Sequence, residues 1–445
     1  MNSEKQYIDL YRQCRDVIDA GSHDLINRHR AAALDYLQQK GLPTTRDERF
    51  KYLDVGGIFA PDYGINLKRR KMVADLHTAY RCSVHGLDSS LFFVFDDRIE
   101  AKDGLLPDGD DLFVGSLVDF ATKYPDTFSS YYNRLPADGV VSLNTLLSQD
   151  GVVVHVGDGF KCEKTIQIVN LTLGNMPVMT NRRLLVIMGK GAEASLLLCD
   201  HSVTSHPHLT TEVAELWLEE DSNLHLCGIE ETNDKNNLLR TTQVVQKQRS
   251  RLSFTDVTLH NGVTRHTLNV HLDGEDALTQ VSGLVIGGGT QRIDNNLLVS
   301  HDKGCCESNI LYKYVLDDEA VGAFAGKVYV AEGAQKSESQ ETNANLCVSP
   351  TAHVYTQPML EIYADDVKCN HGSTVGQLND SALFYMAQRG VDPKEGRRLL
   401  QQAFAFEVID RIDIPALRTR LAQMVEERFR RGAGACGDCA MCAAK

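Results

Sequence analysis

Two short stretches of this sequence bring together residue types that can do chemistry. In LEIYADDVKCNHGSTVGQL, residues 360–378, Cys369 and His371 stand two apart, so an extended segment sends both side chains to one face. A thiolate and an imidazole placed this way suit a metal ion or a sulfur species. Asp365 and Asp366 lie just upstream, and Gly372 is expected to allow a tight turn directly afterwards. The plainer alternative is an unreactive thiol beside a satisfied imidazole. The second stretch is the tail CGDCAMCAAK, where Cys436, Cys439 and Cys442 form C-x2-C-x2-C, the start of a bacterial ferredoxin run without its fourth cysteine and proline. Such thiolates can wrap a tetrahedral metal or carry a persulfide; otherwise the tail is an oxidation-prone appendage.

Other clusters promise less. His201, His206 and His208 surround Pro207 in what reads as a solvated turn, and the adjacent Cys305 and Cys306 cannot comfortably share a metal, so they read as a turn entering a strand. Gly287-Gly288-Gly289-Thr290 has no lysine in phosphate-loop register and no long helix after it, so nucleotide is not expected on this chain, and no dinucleotide fingerprint accompanies it. The acidic runs Asp108–Asp111 and Glu219–Asp221 read as solvated turns.

The elements that must position these groups change character along the chain. Residues 1–40 carry Ile26, Ala33 and Leu37 on one helical stripe that stops at Gly41 and Pro43, and Thr45 with Glu48 reads as a capping box opening a short helix. FFVF near residue 92 reads as a strand. From Gly151 onward, runs such as VVVHV and RLLVIM alternate with Gly, Asp and Asn turns for some two hundred residues. Within them a small or polar residue followed by alternating apolar positions recurs at Ala192, Ser222, Ser250 and Asp276, at intervals of 30, 28 and 26 residues. A drifting period of that length fits the coils of a β-helix, with a β-sandwich as the alternative. After Gly376 the helical period returns. Asp380 is expected to cap one helix, Asp392-Pro393-Lys394-Glu395 opens a second bearing Leu399, Phe406 and Ile409, and Pro415 opens a third bearing Leu417, Leu421 and Phe429. Their apolar faces are expected to pack on one another or to wait for a partner.

Composition bounds the function. The 445 residues hold 46 basic and 60 acidic side chains, a net charge of −14 that argues against general nucleic-acid binding. With 42% hydrophobic and 24% charged residues the chain can bury a large core. Charges in MNSEKQYIDLYRQ and the lack of any long apolar run suggest a cytoplasmic chain without a membrane span. Most of the twelve cysteines, among them Cys199, Cys227 and Cys347, are isolated in apolar runs and read as buried thiols.

At residues 356–391, TQPMLEIYADDVKCNHGSTVGQLNDSALFYMAQRGV, the sequence closely resembles the SufB/SufD family of scaffold subunits in SUF iron–sulfur cluster assembly, in its SufD form. AFAGKVYVAEGAQKSESQETNANLCVSP (323–350), NNLLVSHDKG (295–304), VSLNTLLSQDGVVVHV (141–156) and, more loosely, RDERFKYLDV (46–55) extend the likeness. The resemblance implies a mainly β protein, a right-handed parallel β-helix between helical amino- and carboxy-terminal domains. It implies pairing with a SufB-like paralogue through the β-helices, with a homodimer as an option for the isolated chain, and one SufC-like ABC-type ATPase docked on the carboxy-terminal helices. A transient iron–sulfur cluster would form at the paired interface, with His371 contributing and Cys369 close by. The tail cysteines depart from the family pattern. The expected divisions are a helical or mixed segment 1–148, a β-helix 149–375, a docking domain 376–431 and a flexible tail 432–445. The expected function is a non-catalytic scaffold that builds and transfers nascent clusters. A metal or persulfide carrier acting through the tail and, more remotely, a β-helix carbohydrate-active enzyme are the alternatives.

Overall fold

The computed structural model describes residues 3–70 and 84–431, apart from positions 85, 103, 135 and 205. Its centre is a β-solenoid of about eight turns. Each turn gives one strand to each of two facing sheets, which among the described residues hold ten and nine strands. Strands within the repeating part pair in parallel, so equivalent side chains stack from turn to turn. One lumen-facing column reads Ile166, Leu196, Leu226, Phe254, Val281 and Ile310, all buried. Burying each such side chain contributes roughly 1.5–3 kcal/mol, and no single turn could do so alone.

The recurring sequence motif is a stacked turn. Gly191, Asp221, Arg249, Asp276, Cys305 and Lys336 each adopt a left-handed backbone with φ of 55 to 64°. The next residue in each case, Ala192, Ser222, Ser250, Ala277, Cys306 and Ser337, is small and buried. Backbone N–H groups tie turn to turn, as from Asp221 to Gln248 O at 2.9 Å and from Cys305 to Gln335 O at 2.9 Å. The turn thus explains both the repeat and the Cys305-Cys306 pair.

Helices Glu4–Ala20, Asp24–Asn27 and Arg30–Lys40 bury Ile26, Ala33 and Leu37 as expected, and Gly41 ends the third at φ 69°. The capping box at Thr45 does not form. Instead the Asp47 carboxylate takes the backbone N–H of Thr44 at 2.7 Å, and only one 3-10 turn, Glu48–Phe50, follows. This segment lies across the nine-stranded sheet because its side chains find partners there: Arg49 donates to Asn296 at 2.8 Å and Asn269 at 2.9 Å, and Tyr52 stacks on Tyr355 at 4.3 Å. FFVF falls in the strand Ser89–Phe95, which joins the ten-stranded sheet beside Thr165–Thr172.

At the other end Asn379, rather than Asp380, caps the helix Asp380–Gln388, accepting from Ala382 N at 3.1 Å. Asp392 caps Pro393–Ile409 as expected. The apolar faces of Pro393–Ile409 and Pro415–Arg431 neither pack only on each other nor stand free. Ala405, Val408, Leu417 and Leu421 join one buried cluster with Leu197, Ile229, Val257 and Leu284 from the outer face of the ten-stranded sheet. Polar ties reinforce the contact, Lys313 to Glu407 and Arg411 to Asn309 at 2.8 Å. Among the described residues no helix is long and apolar enough to cross a membrane.

Candidate functional site

The last solenoid turn carries the Cys-x-His pair. Its strands, His353–Ile362 and Lys368–Gly376, terminate the nine- and ten-stranded sheets and pair on one side only, with Val321–Val330 and Glu338–Cys347. In register, Cys369 lies over Ser339, His371 over Glu341 and Ser373 over Asn343. Cys369 packs against the lumen core, so by strand alternation Cys369, His371 and Ser373 all face the open end of the lumen. The same-face geometry read from the sequence is therefore realised. Gly372 makes no turn: it continues the strand, in open space.

A hydrogen-bonded plug holds this strand. The Asn343 side-chain oxygen accepts from Asn345 Nδ2 at 2.6 Å, Thr356 Oγ1 at 2.8 Å and Ser373 Oγ at 3.3 Å, while Thr356 and Ser373 share a contact of 2.6 Å. Asn345 also donates to Thr374 O at 2.9 Å. Each net hydrogen bond contributes about 1 kcal/mol, enough in sum to fix a terminal strand that has one neighbour. Upstream, Lys368 N donates to Ser337 O at 3.0 Å, and Asp366 closes the turn by accepting from Lys336 N at 2.6 Å. The Asp366 contact is through its backbone carbonyl.

His371 is exposed, whereas Cys369 is half-buried. Burial pushes the Cys369 thiol up, against a smaller opposing effect of the Ser339 backbone. It is therefore a protonated sulfur until a cation or partner draws the proton off. Beneath His371, Glu341 is fully buried, and neither carboxyl oxygen has a hydrogen-bond partner. Burial alone pushes that carboxyl up to about 7. It lies against Gly326 of the opposite sheet, where a Cβ would collide with Oε1. Among the described residues no group of three or more His, Cys, Asp or Glu side chains is placed to hold a metal ion, and Cys369 and His371 stand without a third.

The remaining candidates separate clearly. Cys436, Cys439 and Cys442 lie outside the described residues. His201 and His208 are buried rather than solvated: His208 Nε2 meets Thr180 Oγ1 at 3.0 Å, and burial followed by the nearby Arg182 lowers its pKa to about 3.

One feature escaped the sequence reading, an ion cluster inside the lumen. Arg240 donates to Glu212 at 2.6 Å and to Asp200, Arg182 meets Asp200 at 2.7 Å, and His266 meets Asp256 at 2.6 Å. Against the cost of burial, Arg240 and Arg182 hold Asp200 below the usual carboxylate range. Burial pushes Glu230 up to about 7, opposed by His266 and Arg240. The available signal was parity: these charges stand two residues from apolar lumen positions on their own strands, Asp200 from Leu198, Glu212 from Ala214 and Asp256 from Phe254. Because Asp200, Glu212, Glu230 and Asp256 are at most 7% exposed, they offer no carboxylate face to a polysaccharide.

Comparison with known proteins places this geometry in a family. The family model described as "SUF system FeS cluster assembly, SufBD core domain" matches residues 171–404, and that of the SufBD protein N-terminal region matches residues 1–168. An iron–sulfur cluster assembly SufBD family protein of Synechocystis sp. is 29% identical over 428 residues, covering 92% of each chain. The iron–sulfur cluster assembly protein SufD of Escherichia coli is 26% identical over 407 residues, covering 90% of this chain and 92% of its own.

Proposed function

This chain belongs to the SufBD family of the SUF iron–sulfur cluster assembly system, and from that premise we propose that it is the SufD-like, non-catalytic scaffold subunit of a cytoplasmic assembly complex. The observation that carries this reading is the incomplete donor set at an open solenoid end. A [2Fe–2S] or [4Fe–4S] cluster is generally held by four protein ligands, and His371 with Cys369 supplies two at most. The missing donors come from a SufB-like paralogue laid against the unpaired edges of His353–Ile362 and Lys368–Gly376. Around those edges Tyr355, Ile362, Tyr363 and Val375 are exposed, as suits a surface to be covered. In the chain alone the same edges would admit a second copy. The cluster is cargo, formed across the interface and passed on.

Energy for the cycle comes from a SufC-like ATPase on a separate chain. Its dock is the helix Asp380–Gln388, which leaves Phe384 65% and Tyr385 57% exposed while the two following helices are held on the solenoid. In the tail, Cys436, Cys439 and Cys442 would hold metal or sulfur in an open site during delivery. The test is co-expression with and without the paralogue and the ATPase, followed by anaerobic purification. Iron and acid-labile sulfide should appear only with the paralogue present, and their equal presence on the chain alone would reject an interfacial site.

A further inference from the structure

The lumen column that ends at His371 changes character one turn earlier. Five of its positions, Leu196, Leu226, Phe254, Val281 and Ile310, are apolar and buried, and Glu341 then takes the next place in register, directly beneath His371. Packing alone calls for another apolar side chain at that position. A fully buried carboxyl with no hydrogen-bond partner on either oxygen is instead a liability to the fold. The columns on either side offer it nothing: Asn343 is engaged with Asn345, Thr356 and Ser373, and Ser339 bonds Ser308 at 2.7 Å. Below it lies Ile310, and across the lumen the bare backbone of Gly326 leaves a slot into which the carboxyl folds. The titratable group in register with it is His371, about 4.8 Å away along the stack at the backbone.

We propose that Glu341 is a positioning residue for His371, accepting a hydrogen bond from one ring N–H so that the other ring nitrogen presents its lone pair to iron at the open end of the solenoid. This rests on the reading of His371 given above and deepens it. A histidine that ligates a metal generally donates its second N–H to a carboxylate or carbonyl, which fixes its tautomer and orientation and raises its basicity. On its own strand the residues sharing the face of His371 are Cys369 and Ser373, and the Ser373 hydroxyl is engaged with Thr356 and Asn343. Rotation of the Glu341 side chain from the Gly326 slot toward the lumen mouth supplies the acceptor without moving the backbone. Glu341 adds no iron ligand of its own, and the paralogue still completes the coordination.

The test uses the full chain carrying Cys436→Ser, Cys439→Ser and Cys442→Ser, assembled with its paralogue and ATPase, titrated anaerobically with cobalt(II) alone and read by its absorption bands. Glu341→Leu should raise the melting temperature of the chain, because an unpaired buried carboxyl is replaced by an apolar group. It should also weaken cobalt binding roughly ten- to a hundredfold while keeping the thiolate-to-cobalt charge-transfer band. Glu341→Gln, whose amide oxygen still accepts a hydrogen bond, should recover part of the affinity. If His371→Ala weakens cobalt binding but Glu341→Leu binds like the same complex with Glu341 in place, the positioning role is overturned and the His371 site stands. If His371→Ala has no effect either, the site itself is wrong.

Discussion

Arg240→Met tests whether the ion cluster in the solenoid lumen is a closed charge system. Arg240 is 5% exposed and donates to Glu212 at 2.6 Å and to Asp200, with Asp256 at 3.9 Å. Methionine keeps most of the volume and removes the charge. Taking one partner from a buried pair costs roughly 3–5 kcal/mol, because the other charge is left unanswered. Asp200 keeps Arg182 at 2.7 Å, whereas Glu212 is left with Arg182 at 3.9 Å. Most of the loss therefore falls on Glu212, which points to the lower end, about 3 kcal/mol. Urea unfolding followed by circular dichroism at pH 7 measures it. Adding Glu212→Met should recover at least about 1 kcal/mol, since a well-packed apolar pair can replace a buried ion pair. A single-variant loss below about 1 kcal/mol, or a double variant no more stable than the single, would refute the reasoning.

Phe384→Ala with Tyr385→Ala should abolish ATPase association and move stability by less than about 0.5 kcal/mol, since both rings are exposed; unchanged association in a pull-down would move the dock elsewhere. Deleting the whole region would be a poorer test, because the helices after Gly390 cover a buried face of the sheet. Changing Cys436, Cys439 and Cys442 to Ser should lower metal per chain and slow cluster delivery while assembly persists, because the last described helix ends at Arg431; equal metal content and delivery rate would make the tail an appendage. For Glu341 the folded pKa of about 7 lies above the value near 4.3 expected in the unfolded chain, so the native state keeps a proton that the unfolded state loses. That contribution is complete below about pH 4 and is lost as pH rises to about 7, at up to about 1.4 kcal/mol per pH unit. Glu341→Gln lacks this loss, so its stability relative to the unmodified chain should improve between pH 5 and pH 8; a gap that does not change with pH in thermal melts would contradict the unpaired carboxyl.

The solenoid was legible because its cause is local and repeated. Each left-handed turn demands a small residue after it, and that demand left the marks at Ala192, Ser222 and Ser250. The helix starting at Pro393 was legible for the same reason, since Asp392 caps it through its immediate neighbours Lys394 and Glu395. What stayed hidden depends on chain partners far away in sequence. The cover over the carboxy-terminal helices is a sheet face assembled from Leu197 to Leu284. The segment at Thr45 gives up a regular helix because Arg49 and Tyr52 find partners more than two hundred residues on. At the site, the two-residue spacing of Cys369 and His371 disclosed their shared face, but not which of them would be exposed. Nothing in the linear order linked Glu341 to His371, thirty residues later, because only the length of one coil puts them in register.

The most direct test of the scaffold reading is the iron and acid-labile sulfide bound per complex after anaerobic reconstitution of the His371→Ala chain with its paralogue and ATPase. His371 is exposed at a strand edge, so the variant should keep its partners and its melting curve to within about 0.5 kcal/mol. The account predicts that iron and sulfide fall to the level of the chain without its paralogue. A His371→Ala complex that holds as much iron and sulfide as the unmodified one would contradict it.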